Sequence, residues 1–136
     1  MNQAEITKLM EESAHDAVKY INEEYAVELD YSVESIAQID KAILWSIAKL
    51  KDETDRKQDF IFVICNMLGA YMGETFRKHI GGEWIYDNSD PSAPTVMLAF
   101  SGHTFAFPGI CYQKLVVDVN TNVRRYFELA ISNVTQ

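Results

Sequence analysis

The sequence predicts a single α+β domain that covers residues 1–136. Three long segments between residues 3 and 80 carry apolar residues at spacings of three and four, which is typical of helices. Short apolar segments separated by glycine, proline and asparagine follow between residues 83 and 107, and they indicate strands. Helical spacing returns after residue 120. Helices, then a strand meander, then a helix form a segregated order, which favours α+β over alternating βαβ units.

The first two helices are predicted from their apolar stripes. Residues 3–25 form the first, and residues 26–31 break its period as a short extended segment. Ser32 is expected to cap the second helix, with Glu34 in its first turn. Its stripe consists of Ile36, Ile39, Ile43, Leu44, Ile47 and Leu50, and residues 49–58 hold the following turn.

The third helix is predicted over residues 55–80. From Phe60 to Met72 it is apolar almost all round, so we expect this stretch to be buried at the centre of the domain. Gly69 and Gly73 lie four apart on one face, and two glycines cost about 1 kcal/mol each in a helix. Close approach of another element would offset that cost. Gly81-Gly82 is expected to end the helix.

The remaining elements are short. Residues 83–86 and 95–100 are predicted strands joined by a loop over 87–94, and Ser101-Gly102 is predicted to turn the chain into a strand over 103–107. Pro108-Gly109 interrupts the pattern, and residues 112–119 are expected to form a strand or an extended arm. Thr121 or Asn120 would cap a last helix that directs the following side chains inward: Val123, Tyr126, Phe127, Ala130 and Ile131.

Composition limits the choice of partner. The net charge is −8, and residues 1–59 hold 14 acidic and 7 basic residues, a net of −7. An acidic surface repels phosphate backbones, so we expect no nucleic-acid partner, whereas a basic protein would be attracted. The apolar run over 60–72 is too short to cross a bilayer, and residues 1–12 are too polar for a signal peptide, so no membrane contact and a cytoplasmic location are expected.

One constellation could carry a function. Tyr71, Glu74 and Lys78 share a helix face, Arg77 lies within reach of Glu74, and the double glycine brings Trp84 back towards the same helix end. A carboxylate held by a phenol and a cation can act as a general base or bind a cationic group. The alternative is a purely structural pair that fixes the helix end against the sheet, and the sequence leaves both interpretations open.

Motifs for metal binding and nucleophilic catalysis are missing from the sequence. His15, His79 and His103 form no pair with ligand spacing, and Cys65 and Cys111 belong to no C-x-x-C motif. The sequence also lacks a phosphate loop, a G-x-G-x-x-G motif and a nucleophile elbow. No metal and no cofactor is therefore predicted, and whether the domain is an enzyme stays open.

Three segments resemble a family of small bacterial domains that has no established activity. They read L-D-Y-S-V-E-S-I at 29–36, G-A-Y-M-G-E at 69–74 and G-G-E-W at 81–84. The resemblance implies an α+β fold and a bacterial or phage source, and it supplies no substrate or reaction.

Three functional hypotheses follow, one of which is a structural module that forms a homodimer through its exposed sheet edge or its apolar helix faces. Of the other two, the first is a non-enzymatic interaction or accessory protein, including an immunity-type protein that neutralises a basic toxin. The second is a small-ligand-binding domain or enzyme with a pocket between the end of helix three and the sheet. The expected lining residues of that pocket are Tyr71, Glu74, Arg77, Trp84 and His103.

Overall fold

The computed structural model describes residues 2–51, 57–89 and 95–135, and the α+β prediction is confirmed. Within the described residues there are five α-helices and a three-stranded sheet. The sheet lies between the third and fourth α-helices along the chain, and a π-helical turn over Gln113–Val117 precedes the last helix. The α-helices are α1 Gln3–Tyr25, α2 Ile36–Lys51, α3 Lys57–His79, α4 Phe107–Tyr112 and α5 Val123–Thr135, and the strands are β1 Glu83–Asp87, β2 Thr95–Phe100 and β3 His103–Phe105.

Helix α1 has the predicted bounds. The side chain of Asn2 caps it by accepting a hydrogen bond from the amide of Glu5 at 2.9 Å. Ala26 ends it in the left-handed region with φ 56°. The buried stripe consists of Ile6, Met10, Ala14, Ala17 and Ile21.

Helix α2 begins later than predicted. Ser32 caps a turn rather than the helix itself, because its hydroxyl accepts the Ser35 amide at 3.1 Å while α2 starts at Ile36. Hydrogen bonds between residues three apart fill residues 32–38, so a tighter turn leads into the helix. Leu44, expected on the buried stripe, is 46% exposed, and the buried face includes Ala42 and Ser46 instead.

Helix α3 is the central helix, but its buried part is shifted along the chain. Every residue from 68 to 76 is buried, whereas Phe62 and Val63 within the apolar run are 65% and 56% exposed. The N-terminal half of α3 therefore has a solvent-exposed side, and the expectation that the whole run 60–72 is enclosed is wrong. The predicted starting residues 55 and 56, and residues 52–56 of the predicted turn, lie outside the described residues.

Close approach at both helix glycines is confirmed. A Cβ atom added to Gly69 would overlap the backbone of Pro108, and one added to Gly73 would overlap the indole ring of Trp84. The two glycines thus let α4 and β1 pack directly on α3.

The sheet is antiparallel with the order β1-β2-β3. Trp84 pairs with Leu98, and Phe100 pairs with His103 across the predicted Ser101-Gly102 hairpin. Both turn residues have positive φ, 52° and 80°, as this type of two-residue turn requires. Residues 90–94 of the predicted loop lie outside the described residues.

Residues 107–117 are helical, so the predicted strand or arm over 112–119 is wrong. Pro108 occupies the first turn of α4, where the missing amide hydrogen costs nothing. The chain continues into the π-helical turn, in which Lys114 is buried and donates to the carbonyls of Val119 at 2.9 Å and Thr121 at 2.6 Å. These bonds fold residues 118–121 back onto the turn and prevent an extended path.

Helix α5 has a different cap from the one expected. Asn122, and not Thr121 or Asn120, accepts the amide of Arg125 at 2.8 Å. Asp40 of α2 accepts the amides of Val123 and Arg124 at 2.9 and 2.8 Å, so a second helix contributes to the cap. The inward side chains are as predicted, with Val123, Phe127 and Ala130 buried.

The core is continuous between the helices and the sheet. Phe76 lies at its aromatic centre, with ring centroids of four phenylalanines 5.2 to 6.3 Å away: Phe100, Phe105, Phe107 and Phe127. Among the described helices, none has the length and apolarity needed to cross a membrane.

Candidate functional site

Glu74 is a buried carboxylate that two donors hold in place. Its residue is 7% exposed, and Oε2 accepts hydrogen bonds from Trp84 Nε1 at 2.9 Å and Arg77 Nη1 at 2.7 Å. The approach of Arg77 and Trp84 to Glu74 that the sequence predicts is confirmed. Two charge-assisted hydrogen bonds to one oxygen fix the side chain in a single orientation.

The surrounding backbone determines this geometry. Gly73 admits the indole ring of Trp84 against α3, so the indole N–H reaches the carboxylate of the next residue. Arg77 also donates Nε to the carbonyl of Gly82 at 3.3 Å, which ties the end of α3 to the start of β1. Its Nη1 atom lies 3.8 Å from the Glu11 carboxylate, so α1 joins the same cluster.

Tyr71 forms no hydrogen bond with Glu74, although the two share a helix face. Its hydroxyl accepts the amide of Tyr31 at 2.9 Å and lies 2.5 Å from the Ser35 hydroxyl. Ser35 donates its own hydrogen to the carbonyl of Ser32 at 2.6 Å, so Tyr71 must donate to Ser35. Burial raises the pKa of the Tyr71 phenol above its ordinary value, which keeps this donor protonated.

The segment 29–35 is docked on α3 through this hydrogen-bonded chain. Tyr31 has φ 62°, and its ring lies 4.9 Å from that of Tyr71. Lys78 Nζ lies 4.9 Å from the centroid of the Tyr31 ring, and His79 Nε2 is 2.8 Å from the Tyr31 carbonyl. Lys78 and His79, at the end of α3, therefore also contact the segment.

His103 lies apart from the Glu74 cluster. It is exposed on β3, and its ring is parallel to that of Phe105 at a centroid distance of 6.2 Å. It lines a shallow pocket of about 490 Å³ at the hairpin together with Gly82, Glu83, Ala99, Phe100, Ser101, Gly102 and Thr104. No hydrogen bond or ring contact links His103 to Glu74 within the described chain.

The five candidate residues thus fall into three places. Glu74, Arg77 and Trp84 form one cluster, Tyr71 anchors the segment 29–35, and His103 belongs to the hairpin. Glu74, Arg77, Trp84 and Tyr71 line neither the hairpin pocket nor three further surface pockets of the described residues. The positions of Glu74, Arg77, Trp84 and Tyr71 therefore support a structural role, in which hydrogen bonds join α3 to β1 and to the segment 29–35.

The two thiols are protected from reaction. Burial raises the pKa of Cys65 to about 12, and burial also raises the pKa of Cys111 well above its ordinary value. Cys111 donates to the Met72 sulfur at 3.7 Å, inside the core. A thiolate nucleophile needs a lowered pKa and access to solvent, and these thiols have neither.

The ion pair between Lys114 and Asp40 was not predicted from the sequence. Lys114 Nζ lies 3.5 Å from Asp40 Oδ1, and their side chains are 8% and 20% exposed. Besides pairing with each other, Lys114 donates to two backbone carbonyls just before α5, and Asp40 accepts two backbone amides at the start of α5. No local motif marks this pair, because 74 positions separate its members in the chain.

Two surfaces expose apolar side chains. The first is a groove of about 390 Å³ between α1 and α3, which we call the α1–α3 groove. Its lining residues are Asp16, Lys19, Tyr20 and Glu23 of α1 and Phe60, Val63, Ile64 and Met67 of α3.

The second surface, the π-turn face, lies on the other side of α3. Leu44 of α2 and Val119 line one pocket of this face, while Ile47, Ile61 and Val116 line the next. Leu44, Val116, Val117 and Val119 are 45 to 62% exposed. Exposed apolar groups of this kind are typical of interaction surfaces when they are contiguous.

The comparisons with known proteins show the fold alone. No protein-family model matches the chain, and no curated protein matches it. The fold is similar to that in a crystal structure of a protein from Bacteroides thetaiotaomicron VPI-5482, with a TM-score of 0.67 and 17% sequence identity. The match covers 95% of this chain and 45% of that protein, so the chain spans less than half of its structural neighbour.

Proposed function

We propose that the domain is a non-enzymatic interaction or accessory protein that binds a basic protein partner. The observation that carries this proposal is that exposed carboxylates lie beside apolar side chains in the α1–α3 groove, where Val63 is exposed and Phe60 and Met67 are half-buried. Asp16 and Glu23 are exposed and form no ion pair with another described residue, and Val63 opposite them is 56% exposed. Such a surface favours a partner that brings both positive charge and apolar side chains.

The hypothesis of a ligand pocket around Glu74 and Trp84 has less support. Trp84 is fully buried against Gly73, and Glu74 Oε2 already accepts two hydrogen bonds from within the fold. A binding pocket is concave and aims a few polar groups into free volume. The polar groups here are aimed at one another.

A homodimer is the second candidate, and the π-turn face is the observation that favours it. Val117 is 62% exposed, and Val116 and Leu44 lie at the same face. Self-association through this face would bury these side chains without bringing the two acidic α1 helices into the contact.

A capture experiment followed by reconstitution tests the proposed function. The domain is immobilised, exposed to an extract of its source organism and eluted with salt; each stoichiometric protein is then produced alone and mixed with the domain. We expect a basic protein that forms a complex of defined stoichiometry by light scattering coupled to size exclusion. Self-association alone would favour the homodimer, and the absence of any reconstituted complex would contradict the proposal.

A further inference from the structure

The α3 side of the α1–α3 groove carries an ordered apolar row. Phe60, Val63 and Met67 are spaced by three and four residues, so they lie along one side of α3. Ile64 forms the buried floor at 1% exposure, whereas Val63 is largely open. The row spans two helical turns, about 10 Å, which matches the contact length of two or three side chains from another helix.

The α1 side of the groove is polar and mainly acidic. Asp16, Lys19, Tyr20 and Glu23 line it, and Lys19 is its single positive charge. The α1 helix as a whole has six acidic and two basic residues, a net of −4. Elsewhere on the helix, Glu24 is 3.3 Å from Lys49 and Glu11 is 3.8 Å from Arg77, so the carboxylates that remain without an ion partner include the two in the groove.

The two helices run antiparallel. Arg77, near the end of α3, reaches Glu11 in the first half of α1, and Phe60, near the start of α3, faces Tyr20 and Glu23 in its second half. The groove therefore runs along two antiparallel helices, and it has an apolar side formed by α3 and a mainly acidic side formed by α1. A third helix fits such a groove when its apolar stripe faces α3 and its cations face α1.

We infer that the α1–α3 groove binds one basic amphipathic helix of a partner protein. This inference rests on the proposed function and names the part of the partner that is recognised. Apolar side chains at positions i, i+3 or i+4, and i+7 of the partner helix contact Phe60, Val63 and Met67. Lysine or arginine on its adjacent face pairs with Asp16 and Glu23.

Charge argues against a second copy of this chain as the occupant. A symmetric contact through this groove would bring two α1 helices together, each with a net charge of −4. Like charges at an interface oppose association, and the effect is largest where water is excluded.

A designed peptide supplies the test. The probe is a capped peptide of about 20 residues, with leucine at helical spacing on one face and lysine and arginine on the rest. Its controls are a peptide of the same composition with the leucine spacing scrambled and a peptide with glutamate in place of each cation. Binding to the full domain is measured by fluorescence anisotropy and mapped by NMR shifts of the backbone amides.

Matched variants locate the contact. Val63→Lys changes the exposed side chain at the centre of the row. Leu129→Lys is the control, because it changes an apolar side chain on α5, away from the groove, that is 45% exposed against 56% for Val63. The double variant Asp16→Lys with Glu23→Lys reverses both negative charges on the α1 side of the groove. Its control, Glu28→Lys with Glu34→Lys, makes the same change in charge at exposed positions outside the groove. Circular dichroism and melting curves confirm that each variant is folded.

We expect only the basic peptide with leucine at helical spacing to bind. Val63→Lys and the Asp16/Glu23 reversal should each weaken its binding at least about tenfold, whereas the two control variants should change it little. Shifts should concentrate at residues 16–23 and 60–67. Equal binding to the scrambled peptide, or equal weakening by the control variants, would overturn the inference. So would a dimer of the unmodified domain that Val63→Lys dissociates, because the groove would then hold a second copy.

The inference and the proposed function can fail separately. A reconstituted basic partner that binds Val63→Lys as tightly as the unmodified domain would overturn the groove assignment and leave the proposed function standing. Peptide binding in the groove without any basic protein partner would contradict the proposed function only.

Discussion

The indole ring of Trp84 fills the space that a side chain at Gly73 would occupy, and its N–H then reaches the carboxylate of Glu74. One glycine therefore permits both the packing of β1 on α3 and the burial of a charged group. In the same way, Tyr71 joins the segment 29–35 to α3. Residues 29–36 and residues 81–84 thus both contact the stretch 69–74 of α3.

Replacement of Gly73 by alanine should destabilise the domain. Alanine improves helix propensity by about 1 kcal/mol, but its Cβ would overlap two ring carbons of Trp84 inside a packed core. Overpacking of this kind costs about 1–3 kcal/mol, so the melting temperature should fall. Gly109→Ala in α4 is the control, since its Cβ meets only the Ala106 methyl at 3.3 Å. An unchanged midpoint for Gly73→Ala would contradict the packing role.

Glu74→Gln should lower the free energy of unfolding by about 1–3 kcal/mol, as expected when a buried charged acceptor is lost. The change weakens the hydrogen bonds from Trp84 and Arg77 at once. Glu128→Gln is the matched control, because its pair with Arg124 is exposed and such pairs contribute about 0–1 kcal/mol. Chemical denaturation measures both, and equal losses for the two variants would rule out a structural role for Glu74.

Tyr71→Phe should also destabilise the domain. The change removes the acceptor of the Tyr31 amide and the donor to Ser35, so two polar groups in the packed segment lose a partner. The expected cost is about 1–3 kcal/mol. Tyr86→Phe, at a 41% exposed position on β1, is the control and should change stability little. Hydrogen exchange at Tyr31 gives a local readout, and unchanged protection there would contradict the hydrogen-bond assignment.

The burial of the two thiols predicts how the stability of the domain changes at high pH. Burial raises the pKa of Cys65 in the folded state to about 12, whereas its ordinary value is 9.0. Above pH 9.0 the unfolded state therefore loses a proton that the folded state keeps. Ionisation then favours unfolding, and stability falls as pH rises from about 9 to about 12. Cys65→Ala should reduce this dependence of stability on pH in denaturation curves taken across that range.

At neutral pH the thiols of the native protein should react with iodoacetamide far more slowly than those of the protein unfolded in urea. Fast labelling of the native protein would contradict their burial.

The sequence predicted the elements whose signals are local. Helix α1 and the hairpin at Ser101-Gly102 were found because an apolar period and a turn dipeptide each act within a few residues. Glu74 and Trp84 were placed together because a double glycine reverses the chain between them. Gly69 and Gly73 indicate close packing on one face of α3 from their spacing alone, and Pro108 and Trp84 occupy that face.

Long-range contacts account for what the sequence did not predict. Val116, Val117 and Val119 favour a strand by local propensity, yet buried Lys114 draws the carbonyls of Val119 and Thr121 around itself and stabilises a helical turn. Asp40 caps α5 from another helix. The exposed side of α3 at Phe62 and Val63 was missed because an all-round apolar run does not say which side stays uncovered.

In our proposal, the Glu74 cluster stabilises the fold, while the α1–α3 groove binds the partner. The most direct test measures, on Glu74→Gln and Val63→Lys, both the free energy of unfolding and the dissociation constant for the basic helical peptide. Glu74→Gln should lose stability and bind normally, because Glu74 lines no part of the groove. Val63→Lys should keep its stability and bind at least about tenfold more weakly. Loss of binding in Glu74→Gln at unchanged stability, with normal binding by Val63→Lys, would contradict the claim.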